Sequence, residues 1–140
     1  MSKTKVNAKL RDKMAFVMDL NGHKFITDAS ETVGGSDLGP RPKVLLLAGL
    51  IGCTGMDVIS MLKKMRVELD DFDLEVETDS SDEHPKVYQD IHVKYIFTGK
   101  DLPMDKLEKA VNLSQERYCG VSAMLKKATD ITYEIIVKEE

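Results

Sequence analysis

The feature of this sequence that most constrains its fold is a long apolar segment between Pro42 and Arg66. A proline in the first turn of a helix loses no hydrogen bond, because its N–H would have no partner within the helix. We therefore predict a helix that begins at Pro42 and runs to about Arg66. Residues 44–51 are apolar nearly all round, which predicts burial on every side. The second half presents one apolar face and one face of basic side chains.

Glycine recurs at every third position of this segment, at Gly49, Gly52 and Gly55. Each glycine destabilises a helix by about 1 kcal/mol relative to alanine. One interpretation is the close approach of a second helix or backbone. The other is a loosely wound helix or a break near Gly52. The aspartate and lysines in the second half make the segment too polar for an easy membrane span.

The rest of the chain predicts strands and further helices in a segregated order. Asn21-Gly22 joins two alternating runs and is a strong hairpin signal, because a type I′ turn needs positive φ at both central residues. The predicted order is strands before residue 28, a loop at 28–40, the long helix, two strands, two helices around Cys119-Gly120 and a last strand. That order predicts an α+β fold. The length of 140 residues predicts a single domain, 1–140.

Composition and charge exclude several classes of function. The hydrophobic fraction of 42% is that of a globular protein. A net charge of -4 argues against a nucleic-acid partner, because phosphate binding needs clustered basic residues. The N-terminus leads into no apolar signal segment, so we predict a cytoplasmic protein that has no membrane partner. The acidic run at residues 71–83 is read as a solvated strand face and loop.

The two cysteines, Cys53 and Cys119, are the candidate reactive groups. The cytosol keeps protein thiols reduced, so a structural disulfide is not expected in a cytosolic chain. The cysteines form no CxxC pair, and the histidines at positions 23, 84 and 92 show no metal-ligand spacing. We therefore predict neither a metal nor a cofactor. Each cysteine alone is also compatible with a small buried hydrophobic residue.

Local sequence predicts different environments for the two thiols. Cys119 stands at the start of a predicted short helix, where unpaired N–H groups favour the thiolate and lower a cysteine pKa. Cys53 lies well inside the long helix, and Asp57 follows one turn later on the same face. The carboxylate of Asp57 opposes thiolate formation, so Cys53 needs a cation from elsewhere in the fold.

Two motifs resemble those of the OsmC/Ohr family, in its OsmC-like, YhfA-like branch. Residues 39–58, from Gly-Pro-Arg-Pro to Gly-Cys-Thr-Gly-Met-Asp-Val, resemble the family's central cysteine helix. Residues 113–121, Leu-Ser-Gln-Glu-Arg-Tyr-Cys-Gly-Val, resemble its second cysteine motif. The resemblance covers about residue 14 to the C-terminus. It implies antiparallel sheets wrapped around a long central helix and an intertwined homodimer.

The resemblance also implies a thiol peroxidase that acts on organic hydroperoxides. Cys53 is expected to attack the peroxide and become a sulfenic acid, and Cys119 is expected to condense with it to a disulfide. A cellular dithiol, either a lipoyl protein or a thioredoxin-like protein, is the expected reductant.

The sequence departs from the family pattern at the start of the long helix. Family peroxidases place a carboxylate there, but this chain has Pro42-Lys43-Val44. Arg41 is the candidate activating cation, with Lys43 as a further one, while Arg11 lies in the N-terminal region. The alternative function is a non-enzymatic protein that binds an apolar ligand in a pocket at the dimer interface, with the cysteines as sensors or packing residues.

Overall fold

The computed structural model describes residues 3–139, which contain six strands and three α-helices. These residues form two compact units that divide between Leu47 and Ala48. Strands and helices are segregated along the chain, so the predicted α+β class is confirmed. The assignment of residues 1–140 to a single domain stays a prediction.

The first unit contains a three-stranded antiparallel sheet in the order β1–β2–β3. Its strands are β1 (Val6–Asp12), β2 (Ala15–Leu20) and β3 (His23–Thr27). Asn21 and Gly22 join β2 to β3 with φ values of 53° and 81°. Positive φ at both positions confirms the predicted hairpin turn.

The loop after β3 is organised around the buried carboxylate of Asp28. It contains a 3₁₀ helix at Glu31–Val33. The carboxylate accepts hydrogen bonds from the backbone N–H groups of Ala29 (2.7 Å), Ser36 (3.1 Å) and Leu38 (3.1 Å). Burial alone would raise the pKa of Asp28, but these bonds and the charge of Arg41 lower it below the usual value of 3.8. The ionised Asp28 carboxylate therefore stabilises the loop through these backbone hydrogen bonds.

The long helix, α1 (Val44–Lys64), begins two residues after the predicted start. Pro42 still belongs to its first turn, because its carbonyl accepts the Leu45 N–H at 3.0 Å. The helix is continuous through its glycines, so the alternative of a break near Gly52 is wrong. The burial on every side that the sequence predicts is not found among the described residues, where Leu46 is 50% exposed.

The second unit contains a three-stranded sheet in the order β4–β5–β6. Its strands are β4 (Asp71–Ser80), β5 (Tyr88–Thr98) and β6 (Ile131–Lys138). The β4–β5 pair is antiparallel, whereas β5 and β6 are parallel. The expectation of antiparallel sheets is therefore wrong for β6, because a crossover connection returns the chain to the end of the sheet where β5 begins.

Helices form the crossover between β5 and β6. α2 (Met104–Leu113) continues into a π-helical turn at Ser114–Tyr118, and α3 (Gly120–Leu125) follows. The predicted interruption at Cys119-Gly120 is confirmed. The predicted second helix, 121 to about 127, starts one residue earlier and ends two residues sooner.

The core of the second unit lies where α1, α2 and the β4–β5–β6 sheet bury apolar side chains. Its fully buried apolar members include Leu50, Val58, Leu62, Val93, Tyr95, Phe97, Leu107 and Val111. A Cβ on Gly55 would lie 2.8 Å from Leu74 Cδ1, so this glycine allows α1 to approach β4. At Gly55 the neighbour is a leucine side chain of β4 and not the second helix or backbone that the glycine spacing predicts, while Gly49 and Gly52 have no atom of the described residues within 4 Å of such a Cβ.

By length and composition alone, α1 could cross a membrane. Its most apolar 18 residues have a mean hydropathy of 1.9. The helix is therefore more apolar than the prediction of a segment too polar for an easy membrane span implies. Its packing on β4 through Gly55 and its buried Leu50 and Val58 are nevertheless those of a core helix in a soluble protein.

Candidate functional site

The structure brings the two cysteines together, although they are far apart in the chain. Cys53 lies on α1, and Cys119 is the residue immediately before α3. Their sulfurs and a carboxylate oxygen of Asp57 all lie within 4.8 Å of one another. Both thiols are free. The prediction that the two cysteines lie within reach of a disulfide is therefore confirmed.

Asp57 is the third member of this cluster because it lies one helical turn after Cys53. Residues four apart on a helix share a face, so both side chains point toward the crossover. The Asp57 carboxylate accepts a 2.9 Å hydrogen bond from the Ser114 hydroxyl. Ser114 also bonds Thr54 Oγ1 at 2.7 Å, which ties the π-helical turn to α1.

Buried hydroxyl and amide groups extend this contact to the sheet. Thr54 Oγ1 bonds the hydroxyl of Tyr95 at 2.6 Å, and Gln115 Nε2 donates to the same hydroxyl at 2.7 Å. The Ser122 hydroxyl donates to Gln115 Oε1 at 2.7 Å. Every buried side-chain polar atom of the described residues has a partner. A satisfied network of this kind fixes the crossover and positions Cys119.

The π-helical turn determines where Cys119 stands. The Cys119 N–H donates to the Ser114 carbonyl at 2.8 Å, five residues back, and the backbone then becomes extended at Cys119. π-Helical turns are often found at functional sites. Cys119 caps α3, and its Sγ accepts the Ser122 N–H at 3.3 Å. The predicted position at a helix start is therefore confirmed.

The predicted lowering of the Cys119 pKa is wrong. Burial raises the pKa of the Cys119 thiol to about 11, and Cys53 and Asp57 add to the increase. The hydrogen bond from Ser122 acts in the opposite direction and offsets this only in part. Desolvation depends on residues distant in the chain, so the local pattern could not show that it exceeds the helix-terminus effect.

Arg41, the candidate activating cation, belongs to the first unit, in the loop before α1. Its guanidinium donates to the Gly39 carbonyl at 2.9 Å and the Asp28 carbonyl at 3.4 Å. It also forms a 2.6 Å ion pair with Asp37. These contacts stabilise the loop that Asp28 anchors. The role of Arg41 at Cys53 stays a prediction.

A groove of about 680 Å³ lies beside the cysteine cluster and shares Asp57 with it. Its walls are mainly methionine, leucine and tyrosine side chains with one lysine: Met56, Asp57, Ser60, Met61, Lys64, Met65, Leu113 and Tyr118. Methionine side chains adapt their shape to apolar ligands. The groove is suited to a ligand with an apolar body.

Sequence reasoning found both cysteines and Asp57 but missed Thr54, Ser114 and Tyr95. Thr54 interrupts the buried stripe of α1 between Leu50 and Val58, and it is fully buried. A lone hydroxyl within a buried apolar stripe was the available signal, because a buried hydroxyl requires a partner.

The fold and the site together define a class of small α+β proteins with a pair of free cysteines where a long helix meets a helical crossover. Residues 34–134 match the family model described as OsmC-like protein. Protein YhfA of Escherichia coli strain K12 is 34% identical over 118 residues, 83% of this chain and 85% of that protein. The chain therefore belongs to the OsmC-like family, and the resemblance seen in the sequence is confirmed.

Solved structures show the same fold. A hypothetical protein from Aquifex aeolicus VF5 has a TM-score of 0.88 and 33% identity, covering 100% of this chain and 99% of its own. The organic hydroperoxide resistance protein OhrB of Bacillus subtilis has a TM-score of 0.62 and 22% identity, covering 96% and 98%. Proteins that share this fold thus include one named for organic hydroperoxide resistance.

Proposed function

We propose that this protein is a thiol-dependent peroxidase that reduces organic hydroperoxides through Cys53 and Cys119. The observation that carries the proposal is the convergence of both sulfurs within 4.8 Å, from two elements far apart in the chain. Two thiols this close need only a small movement to form a disulfide. The groove beside Asp57 offers space for the organic part of the substrate.

The reaction consumes one hydroperoxide for each dithiol. The Cys53 thiolate attacks the terminal peroxide oxygen, the O–O bond breaks, and the alkoxide takes up a proton to leave as an alcohol. Cys53 is then a sulfenic acid. Cys119 attacks that sulfur, forming the disulfide and releasing water. An external dithiol, from a lipoyl protein or a thioredoxin-like protein, reduces the disulfide by exchange.

The difference in exposure between the two thiols supports Cys53 as the residue that reacts first. Cys119 is only 2% exposed, whereas Cys53 is partly exposed on α1. A peroxide must reach the attacking sulfur in line with the O–O bond, which a buried thiol does not permit. The more enclosed Cys119 is suited to resolve the sulfenic acid, because its target is already beside it.

A homodimer is part of the proposal, because α1 presents apolar side chains that residues 3–139 leave exposed. Val44 is 42% exposed and Met56 is 73% exposed. Gly49 and Gly52 leave open space on the helix. Large exposed apolar faces in soluble proteins mark interaction sites. A second copy packed along α1 would supply the burial on every side that the sequence predicts.

The second candidate is a non-enzymatic protein that binds an apolar ligand in the groove. The environment of Cys119 favours it, because burial and, in addition, the Asp57 carboxylate raise the pKa of the thiol that must resolve the sulfenic acid. In either case we place the protein in the cytoplasm, where its two thiols would remain reduced.

Mass spectrometry of the reduced protein after one equivalent of cumene hydroperoxide separates the two candidates. The peroxidase gives an internal disulfide between Cys53 and Cys119 within the mixing time. A protein that still carries two free thiols, and whose thiols are oxidised no faster than free cysteine, would support the binding protein instead. Iodoacetamide-blocked protein is the matched control.

A further inference from the structure

The cluster of Cys53, Asp57 and Cys119 has the composition of a metal site as well as of a redox site. The two sulfurs and the carboxylate oxygen lie within 4.8 Å of one another. Tetrahedral zinc binds sulfur at about 2.3 Å and oxygen at about 2.0–2.2 Å, which separates neighbouring ligand atoms by about 3.5–3.8 Å. The 4.8 Å limit exceeds that separation by at most about 1.3 Å, a shift that small side-chain rotations would supply.

We propose that the reduced protein binds one Zn²⁺ ion per chain through Cys53 Sγ, Cys119 Sγ and the carboxylate of Asp57. Two sulfur ligands select a thiophilic cation, whereas Mg²⁺ and Ca²⁺ take oxygen ligands. Three protein ligands leave the fourth zinc position to water or to an added small ligand. The site goes beyond the proposed peroxidase activity, because metal binding needs no peroxide.

The ligands are held by partners of their own, as metal ligands in proteins usually are. The Ser114 hydroxyl donates to the Asp57 carboxylate at 2.9 Å. The Ser122 N–H donates to Cys119 Sγ at 3.3 Å. On α1, Cys53 and Asp57 are four residues apart, the spacing by which a helix presents two ligands to one ion. The third ligand, Cys119, comes from the crossover.

A purely structural role for these residues leaves Asp57 unexplained. Cys119 alone could be a small buried hydrophobic residue, since it is 2% exposed. Packing does not require a carboxylate beside two sulfurs. Across residues 3–139, Asp57 bonds Ser114 and forms no ion pair with a lysine or arginine. A bound cation would provide the charge that this cluster lacks.

Zinc binding and thiol oxidation exclude one another at this site. On binding, the two thiols release their protons to solvent and both sulfurs donate electron pairs to the metal. A zinc-bound Cys53 is not free to attack a peroxide. Conversely, a disulfide between Cys53 and Cys119 removes both sulfur ligands, so oxidation releases the metal.

The test is an anaerobic titration of the reduced full-length protein with Co²⁺, followed by displacement with Zn²⁺ and by calorimetry. We expect one equivalent per chain, a thiolate-to-cobalt charge-transfer band and strong visible bands of a four-coordinate site. A titration that gives only the weak spectrum of hydrated cobalt would overturn the proposal.

Variants assign the ligands. Cys53→Ser, Cys119→Ser and Asp57→Asn should each weaken Zn²⁺ binding at least about tenfold, and Ser114→Ala about tenfold through its effect on Asp57. Asp73→Asn, an exposed carboxylate on β4, is the matched control and should bind as the wild type does. Equal affinity in the wild type and Cys119→Ser would show an unrelated surface site.

Oxidised wild-type protein tests the same ligands without any substitution. Protein carrying the Cys53–Cys119 disulfide and a native circular dichroism spectrum should bind no metal. Retained binding would exclude the two sulfurs as ligands. Peroxide turnover plays no part in these measurements. A protein that binds metal but whose metal-free form has no peroxidase activity would contradict the proposed function and support this inference.

Discussion

The hydroxyl of Ser114 donates a 2.9 Å hydrogen bond to the carboxylate of Asp57, joining the crossover to the helix that carries Cys53. The same hydroxyl bonds Thr54 Oγ1 at 2.7 Å. Ser114 is fully buried. Ser114 therefore joins the segment before Cys119 to two residues of α1.

Ser114→Ala should destabilise the protein and slow disulfide formation. Losing a buried hydroxyl that serves two partners should lower the free energy of unfolding by about 1–3 kcal/mol. Chemical denaturation measures this loss, and stopped-flow oxidation measures the rate. A double-mutant cycle with Thr54→Val should show a coupling of at least about 0.5 kcal/mol, because the two side chains are in contact. Additive effects would contradict the contact.

The two single cysteine variants should respond differently to peroxide. In Cys119→Ser, Cys53 should be oxidised to a sulfenic acid that a dimedone probe traps, with turnover lost for want of a resolving thiol. In Cys53→Ser, peroxide consumption should fall to background. Mass spectrometry of the labelled peptides is the measurement. Stoichiometric reaction of Cys53→Ser, with an inert Cys119→Ser, would reverse the two roles.

Asp28 should make the first unit sensitive to acid. Its pKa is lowered in the folded protein, so its ionised form contributes stability that is fully present above the unfolded value, near 3.8. That contribution is lost as the pH falls through the lower folded pKa. The facing charged groups are Arg41 and, through it, Asp37.

The substitution Asp28→Asn tests this pH dependence. The variant should be less stable than the wild type at neutral pH, and the difference should shrink as the pH falls below 3.8. Urea unfolding at several pH values measures both curves. Parallel curves over the whole range would show that the charge of Asp28 does not contribute.

Gly49 and Gly52 should distinguish a solvated helix face from a dimer interface. On a solvated helix, glycine to alanine should raise stability by about 1 kcal/mol, and the described residues leave room for the methyl group. At a close helix–helix contact the same change should weaken association. We expect Gly52→Leu to give monomers in light scattering at micromolar concentration. A Gly52→Leu variant that stays dimeric would move the interface elsewhere.

Local features of the sequence predicted the elements that local physics controls. Asn21-Gly22 specified its hairpin because few residues tolerate positive φ at adjacent positions. The interruption at Cys119-Gly120 was visible because the apolar stripe that begins at Met104 ends at Tyr118, just before these residues. Both cysteines and Asp57 were identified because sulfur and carboxylate groups are chemically distinctive.

Other features depend on residues distant in the chain. The alternation of β6 is the same for parallel and antiparallel pairing, so its direction next to β5 could not be read from the sequence. The pKa of Cys119 is dominated by burial. Ser114 looks like an ordinary helical serine until the fold places it between Asp57 and Thr54.

The parallel pairing of β5 with β6 has a consequence for synthesis on the ribosome. Cys119 lies in the connection between these strands, so β6 emerges only after both cysteines. Long-range strand pairing is slow, because the intervening chain must first be ordered. The second sheet is therefore completed only after both thiols have been synthesised.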